Sequence, residues 1–195
     1  MVVRERKNYK GENIQLEEWK IKIQEDFPFM EQAPSDNGNI YHEYGFEFAG
    51  GWYDILRECL ETIVARYAED GIELSDIDFI PCQLKEKFGT LRFYYGYTDV
   101  HCVNAALDFI GSGLTMRLEP DAKGEVDEAK TKRRKDIRAI VSATEQKSKC
   151  TCEFCGAEGK LRDDSDNGIY WVKTLCDSCH EKRIKNMQQK ELSKI

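Results

Sequence analysis

The chain has 195 residues and carries 36 acidic against 29 basic side chains, a formal net charge of −7. This length suffices to bury a core without disulfide bonds, and no run of about 18 apolar residues is present, which excludes a membrane-spanning helix. The N-terminal residues become charged at Arg4 and lack the apolar region of a signal peptide. We therefore expect a cytoplasmic protein whose eight cysteines are thiols or metal ligands.

The charge is unevenly distributed along the chain. Residues 11–80 contain seventeen acidic and four basic side chains, a balance of −13. Residues 1–10 and 81–149 each carry +3, and residues 150–195 are neutral. A negative field repels nucleic acid and attracts basic protein surfaces, so the acidic half predicts a protein partner with a basic surface. The simpler alternative is an acidic face that only keeps the protein solvated.

Hydrophobic spacing predicts the N-terminal elements. A short helix or strand is expected over residues 14–27, then a loop over residues 32–39. Alternating aromatic side chains predict a strand over residues 41–48. The clearest helix covers residues 52–67, where apolar side chains recur every three or four positions, and Gly71 ends it.

Two strand candidates follow this helix. Residues 77–84 are rich in strand-forming side chains, and Pro81 among them indicates an edge or a bulge. Residues 90–97 alternate between two faces. The connector over residues 85–89 is short and ends in glycine, which is typical of a hairpin. We expect helix 52–67 to pack on this hairpin.

Two cysteine pairs are the strongest signal in the chain. Each pair is spaced by two residues, and the ligands they predict are Cys152, Cys155, Cys176 and Cys179. A turn of this length presents two thiolates, and two such turns complete the tetrahedral shell of one structural Zn²⁺. The closed shell leaves no position for a catalytic water. Cys150 and His180 adjoin the pairs, and either could replace one of the four ligands.

The segment between and after the pairs indicates the type of zinc site. Two strand-like stretches flank Asn167-Gly168, a strong hairpin signal. The pattern becomes helical after Leu175, which places the second pair at a helix N-terminus, where the dipole stabilises thiolates. A knuckle, a hairpin and then a helix carrying the second pair is the order of a treble-clef zinc finger.

The other cysteines and the remaining polar residues give no catalytic pattern. Cys59, Cys82 and Cys102 lie on apolar stretches, and we interpret them as small core residues. The chain contains no glycine-rich phosphate loop, nucleophile elbow or paired-carboxylate motif. We therefore expect a protein that is not an enzyme.

These elements predict an α+β fold with three parts. A small domain with a helix on an antiparallel sheet is expected over residues 1–118, with residues 103–118 forming a short helix. A long, exposed, charged linker helix is expected within residues 119–148, and the treble-clef module over residues 149–195. On this division, Cys152→Ser should unfold only the C-terminal module.

A cluster of cations on the linker helix gives an alternative function. Six basic residues fall within nine positions: Lys130, Lys132, Arg133, Arg134, Lys135 and Arg138. On a helix, Lys130, Arg134 and Arg138 form a row spaced by four residues, which could follow phosphates. The alternative is therefore a zinc-finger regulator that binds nucleic acid, and a solvated linker helix is the simpler interpretation.

The C-terminal string resembles a nuclease family. Leu175-Cys-Asp-Ser-Cys-His-Glu-Lys-Arg183 is similar to the end of HNH endonucleases, which implies the treble-clef scaffold. The catalytic Asp-His pair of that family is missing, because Asp163 and Asp164 are followed by Ser165. Nuclease activity is therefore not carried over, and a divergent HNH-like nuclease stands as the last alternative.

A second resemblance covers more of the chain. Lys85-Glu-Lys-Phe-Gly-Thr-Leu-Arg-Phe-Tyr-Tyr95, with Gly51-Trp52, the Cys152-x-x-Cys-Gly turn and the segment from Trp171 to Leu175-Cys, resembles a family of bacteriophage and prophage proteins without an assigned activity. The resemblance implies a viral accessory protein in a bacterial host cell. We expect a phage-encoded zinc-binding protein whose acidic surface inhibits or modulates a host nucleic-acid or antiviral-defence machine.

Overall fold

The structure is a computed structural model that describes residues 3–7, 13–32, 39–99, 106–108, 115–117, 127–167 and 169–192. A helix of the length and apolarity needed to cross a membrane is not found in these ranges. The elements follow in the order β1 (Val3–Lys7), β2 (Asn13–Glu17), α1 (Glu18–Asp26), α2 (Ile40–Tyr44), β3 (Phe46–Glu47), α3 (Tyr53–Glu69), β4 (Phe79–Lys87), β5 (Thr90–Tyr97), β6 (Ala106–Asp108), β7 (Thr115–Arg117), α4 (Glu128–Ser148), β8 (Lys160–Asp164), β9 (Ile169–Leu175) and α5 (Asp177–Leu192).

The largest sheet among these residues has the strand order β3-β4-β5. β4 and β5 form the predicted antiparallel hairpin, and its register shifts between Pro81 and Gln83, which confirms the predicted bulge. The turn consists of Phe88 and Gly89 alone, at φ angles of 53° and 72°. Positive φ at both central residues is what a two-residue hairpin turn requires. The antiparallel prediction fails for β3, which runs parallel to β4.

The core lies between α3 and this sheet. Leu56, Leu60 and Ile63 of α3 are fully buried in one cluster with Leu84 of β4 and Phe93 of β5. The three- and four-residue spacing that predicted the helix is what places these side chains on one face. Burying each aliphatic side chain of this kind contributes about 1.5–3 kcal/mol. The structure therefore confirms a mixed α+β fold.

Helix α4 belongs to this core and is not an exposed linker. Ile137 and Val141 are fully buried in the same cluster. The Glu145 carboxylate accepts the Phe93 N–H at 2.8 Å, and the Ser148 hydroxyl accepts the Leu91 N–H at 2.9 Å. These contacts satisfy backbone donors at the edge of β5. The few apolar residues of this highly charged helix do not predict the packing, because the polar side chains of Glu145 and Ser148 make part of the contact.

Three local predictions differ from the structure. Residues 14–27 contain both of the expected alternatives, since β2 leads directly into α1. Tyr41 and Tyr44 lie on α2, so only Phe46–Glu47 of the strand predicted over residues 41–48 is formed. Instead of a helix over residues 103–118, the described part forms the antiparallel pair β6 and β7. Three- to five-residue elements are too short for hydrophobic periodicity to distinguish.

Two of the predicted core cysteines are buried, but in different chemical states. Cys59 is a free thiol, and burial raises its pKa to about 12. Cys82 is fully buried, which confirms its predicted place in the core, but it is disulfide-bonded and not a thiol. A disulfide requires two cysteines at a specific separation in the fold, which the local sequence around Cys82 does not reveal. Cys102 lies outside the described residues.

Candidate metal centre

The two cysteine pairs converge on one point. The sulfur atoms of Cys152, Cys155, Cys176 and Cys179 all lie within 4.8 Å of one another. The Sγ atoms of Cys155 and Cys176, one from each pair, are 3.6 Å apart. Four sulfurs bound tetrahedrally at about 2.3 Å from an ion lie about 3.8 Å from one another. These four side chains could therefore hold one metal ion.

A tight turn presents the first pair. The Cys152 N–H donates to Ala157 O at 2.7 Å, and the Gly156 N–H donates to Cys152 O at 2.9 Å. Gly156 has a φ of 77°, in the left-handed region that favours glycine. The turn is closed by an antiparallel bridge between Thr151 and Glu158. This backbone brings two thiols to the same side of the turn.

The second pair lies where β9 ends and α5 begins. Cys176 follows the buried Leu175, and Cys179 lies in the first turn of α5. Hydrogen bonds from the Ser178 hydroxyl and the Cys179 N–H lower the pKa of Cys176 to about 6. Burial raises the pKa of Cys179 to about 12. Such closely spaced thiols can all be deprotonated only when a cation lies among them.

The two neighbouring residues lie outside the cluster and have other contacts. Cys150 is exposed, and its thiol contacts Lys147 O at 3.3 Å. His180 Nε2 lies 2.7 Å from Asp164 Oδ1, and Arg183 Nη1 lies 3.5 Å from the second Asp164 oxygen. Asp164 is buried on β8, so these two contacts brace α5 against the hairpin. The four predicted cysteines therefore lie together in the structure, and neither Cys150 nor His180 takes the place of one of them.

The metal module, which we define as residues 150–192, contacts the core directly at the start of α3. The Gly51 N–H donates to Glu153 O at 2.8 Å, and the Trp52 indole N–H donates to Thr151 O at 2.8 Å. A Cβ on Gly51 would lie 2.5 Å from Glu153 O and 2.6 Å from Cys155 N. Only glycine therefore fits at position 51 without displacing the first cysteine turn.

A buried charge network makes a second contact between the metal module and the core. Lys173 of β9 donates to Glu153 at 2.7 Å and to Glu86 of β4 at 3.1 Å. The same Glu86 carboxylate accepts the Trp171 indole N–H at 2.7 Å and the Gly89 N–H at 2.7 Å. Both carboxylates are almost fully buried, so their hydrogen bonds are costly to break. The network links the β4–β5 turn to the hairpin of the metal module.

Four separate stretches of the sequence meet at these contacts, namely Gly51-Trp52, residues 85–95, the Cys152 turn and residues 171–176. Gly51-Trp52 and the Cys152 turn form the first contact, and Glu86, Gly89 and Trp171 form the second. The contact between these stretches could not be predicted from the sequence, because they are far apart in the chain.

The six predicted cations of α4 divide into two groups. Lys130 pairs with Asp99 at 2.8 Å, and Arg134 pairs with Asp99 and with Asp78. Arg133 pairs with Asp70, and its side chain is only 9% exposed. These three cations therefore neutralise carboxylates of the same chain. The predicted row of Lys130, Arg134 and Arg138 is largely directed at protein.

The other three cations of the cluster face solvent. Lys132, Lys135 and Arg138 are exposed, as is Lys149 at the C-terminal end of α4. The exposed positions of residues 129–150 include no carboxylate. The two acidic residues of this stretch are directed inward, Asp136 to Arg66 at 2.8 Å and Glu145 to β5. Beyond the exposed Glu128 in its first turn, the exposed charged residues of α4 are therefore all cationic, and the part-exposed Asp136 is paired with Arg66.

The neighbouring part of the molecule has the opposite charge. We define the acidic face as the exposed carboxylates between residues 39 and 78, namely Glu43, Glu47, Asp54, Glu58, Glu61, Glu69, Glu73 and Asp76. The two cations in this range, Arg57 and Arg66, are not exposed and both form ion pairs. Because both cations of this range are paired and not exposed, the exposed charge between residues 39 and 78 is negative.

Comparisons with known proteins add no relative to this description. No protein-family model, curated protein or solved structure matches the chain. The function must therefore be argued from the four-cysteine cluster and from the two charged surfaces.

Proposed function

We propose that this is a zinc-stabilised interaction protein without catalytic activity, which binds a basic surface on its partner through the acidic face. In this proposal it inhibits or modulates a nucleic-acid or defence machine of a bacterial host, as a phage accessory protein would. The observation that carries the proposal is the acidic face itself, eight exposed carboxylates with no exposed cation between residues 39 and 78. Such a surface favours encounter with a basic partner and repels nucleic acid.

The chemistry of the four ligands supports zinc as the ion. Four thiolates in tetrahedral arrangement are typical of Zn²⁺ or of iron–sulfur centres, and two Cys-x-x-Cys turns on a knuckle and a helix are typical of structural zinc. The order knuckle, hairpin β8–β9 and helix α5 supports a treble-clef finger. With four protein ligands the ion has no free coordination position, so it stabilises structure and does not activate water.

The experiment compares two variants that lose the same charge at different places. The acidic-face variant is Asp54→Asn with Glu73→Gln and Asp76→Asn. The control variant is Glu158→Gln with Asp166→Asn and Glu181→Gln, three exposed acidic residues of the metal module. Each tagged protein is used to capture partners from bacterial lysate, with and without nuclease treatment, and bound proteins are identified by mass spectrometry.

The proposal predicts a protein that is retained by the wild type and the control variant but released by the acidic-face variant, regardless of nuclease. Exposed substitutions of this kind leave stability nearly unchanged, so lost capture would reflect the surface and not unfolding. Equal capture by all three proteins, or capture abolished by nuclease, would contradict a role for the acidic face.

A further inference from the structure

Helix α4 has a second surface that the acidic face does not explain. Along its outward side, beyond the exposed Glu128 of the first turn, the charged residues are Lys132, Lys135, Arg138, Lys147 and Lys149, and of these Lys147 pairs with Glu58. Lys132 and Lys149 are 17 positions apart, or about 25 Å at a rise of 1.5 Å per residue. We define Lys132, Lys135 and Lys149 together with Arg138 as the cationic face.

The composition of the cationic face is unusual for a chain of net charge −7. A helix surface that serves only solubility mixes both signs, because opposite charges four residues apart stabilise the helix. Here the carboxylates of α4 beyond Glu128 make inward contacts, with Arg66 and with the Phe93 N–H. The positions between the lysines are small, Ala139, Ser142 and Ala143, so no bulky side chain prevents close approach.

We propose that the cationic face binds the phosphate backbone of a nucleic acid duplex, separately from the protein partner of the acidic face. The geometry favours a backbone and not base edges, since the face carries lysines and one arginine but no exposed aromatic ring or amide row for reading bases. An acidic face beside a cationic one suits a nucleoprotein complex, in which one surface meets basic protein and the other meets phosphate.

The internal ion pairs determine which variants can test this proposal. Substituting Arg133 or Arg134 would break contacts to Asp70, Asp78 and Asp99, so lost binding could not be distinguished from a disturbed fold. Lys132 and Lys135 are exposed, and Lys132→Gln with Lys135→Gln should leave thermal stability unchanged. The matched control is Lys182→Gln with Lys185→Gln, which removes two exposed lysines from α5.

The measurement is fluorescence anisotropy of labelled duplex DNA and of labelled duplex RNA, titrated with zinc-loaded full-length protein at several salt concentrations. The wild type and the α5 control should bind at low salt. The α4 variant should bind several-fold more weakly, and its slope of log affinity against log salt should be shallower by about 1.8, since each phosphate contact contributes about 0.9. The DNA and RNA arms identify which duplex is preferred.

Three results would overturn the proposal. The first is no binding of either duplex at low salt. The second is an equal loss in the α4 variant and the α5 control, which would indicate charge alone and not a particular face. The third is binding of anionic phospholipid vesicles but of neither duplex, which would assign the cationic face to a membrane surface. None of these results bears on the acidic face, whose test uses other residues.

Discussion

At Gly51 the backbone of the core touches the backbone of the first cysteine turn. The Gly51 N–H donates to Glu153 O, and the space that a Cβ would occupy is filled by backbone atoms of residues 152–155. Backbone atoms held by a closed turn cannot move aside as a flexible side chain can. One absent side chain therefore sets how closely the metal module approaches α3.

We predict that Gly51→Ala weakens both the core and the metal site. The added methyl group would force the first cysteine turn away from α3, and overpacking of this kind costs about 1–3 kcal/mol. Both the free energy of unfolding in urea and the affinity for zinc, measured by competition with a chromophoric chelator, should fall. Gly71→Ala is the control: a Cβ there meets no atom within 4 Å, but the φ of 74° strains alanine, so this variant should lower the free energy of unfolding and leave the zinc affinity unchanged. An unchanged zinc affinity in Gly51→Ala would show that the contact does not couple the two parts.

The close approach of Gly51 to the first cysteine turn could not be predicted from the sequence. The sequence shows Gly51 only as part of the Gly51-Trp52 string, since a close approach to residues a hundred positions away leaves no local pattern. The four cysteines were predicted correctly because their spacing alone encodes a metal-binding turn. Residue-scale chemistry was thus predictable where it is local in the chain, and unpredictable where it depends on tertiary approach.

At the scale of elements, α4 is the helix whose interpretation changed most. Its apolar residues pack into the core, its inward cations neutralise acidic residues, and its outward cations face solvent. The sequence showed six cations on one helix but not which way each points, because direction depends on where the helix docks. Of the predicted row, Lys130 and Arg134 pair with carboxylates of the same chain, and Arg138 belongs to the cationic face.

The ion pairs of α4 with α3 predict a specific dependence on pH. Hydrogen bonds from Arg66 and then Arg133 hold the pKa of Asp70 below its usual range. An unfolded aspartate titrates near 3.9, so the unfolded state binds more protons at acid pH. The stabilisation by Asp70 is therefore complete above about pH 4 and is lost as the pH falls through the lower folded pKa.

Urea unfolding of the wild type and of Asp70→Asn, from pH 6 down to about pH 3, measures this contribution. The wild type should be more stable at pH 6, and the gap between the two proteins should narrow below about pH 4. Comparing the two proteins cancels acid effects on the metal site, which both share. Glu73→Gln, which removes an exposed carboxylate, serves as the control. A gap that stays constant over the whole range would contradict the ion-pair assignment.

At the scale of the whole molecule, the metal module and the core are joined by buried polar contacts. Gly51 and Trp52 hold the first cysteine turn, and Glu86 holds Trp171 and Lys173 of the following hairpin. The sequence predicted a metal module that folds by itself, because a long charged helix is typical of an exposed linker between two parts. The α+β class, helix α3 and the β4–β5 hairpin followed from local patterns. The association of the parts, in contrast, rests on single residues far apart in the chain.

We propose that one metal ion, held by the four clustered cysteines, stabilises the core as well as the C-terminal module. Hydrogen–deuterium exchange of the zinc-loaded and the zinc-stripped protein tests it most directly, because exchange reports stability segment by segment. Removing the ion should speed exchange in residues 150–192 and also around Gly51, at the start of α3, and around Gly89, in the β4–β5 turn. Faster exchange confined to residues 150–192, with the core unchanged, would contradict the claim and restore an independent zinc-finger module.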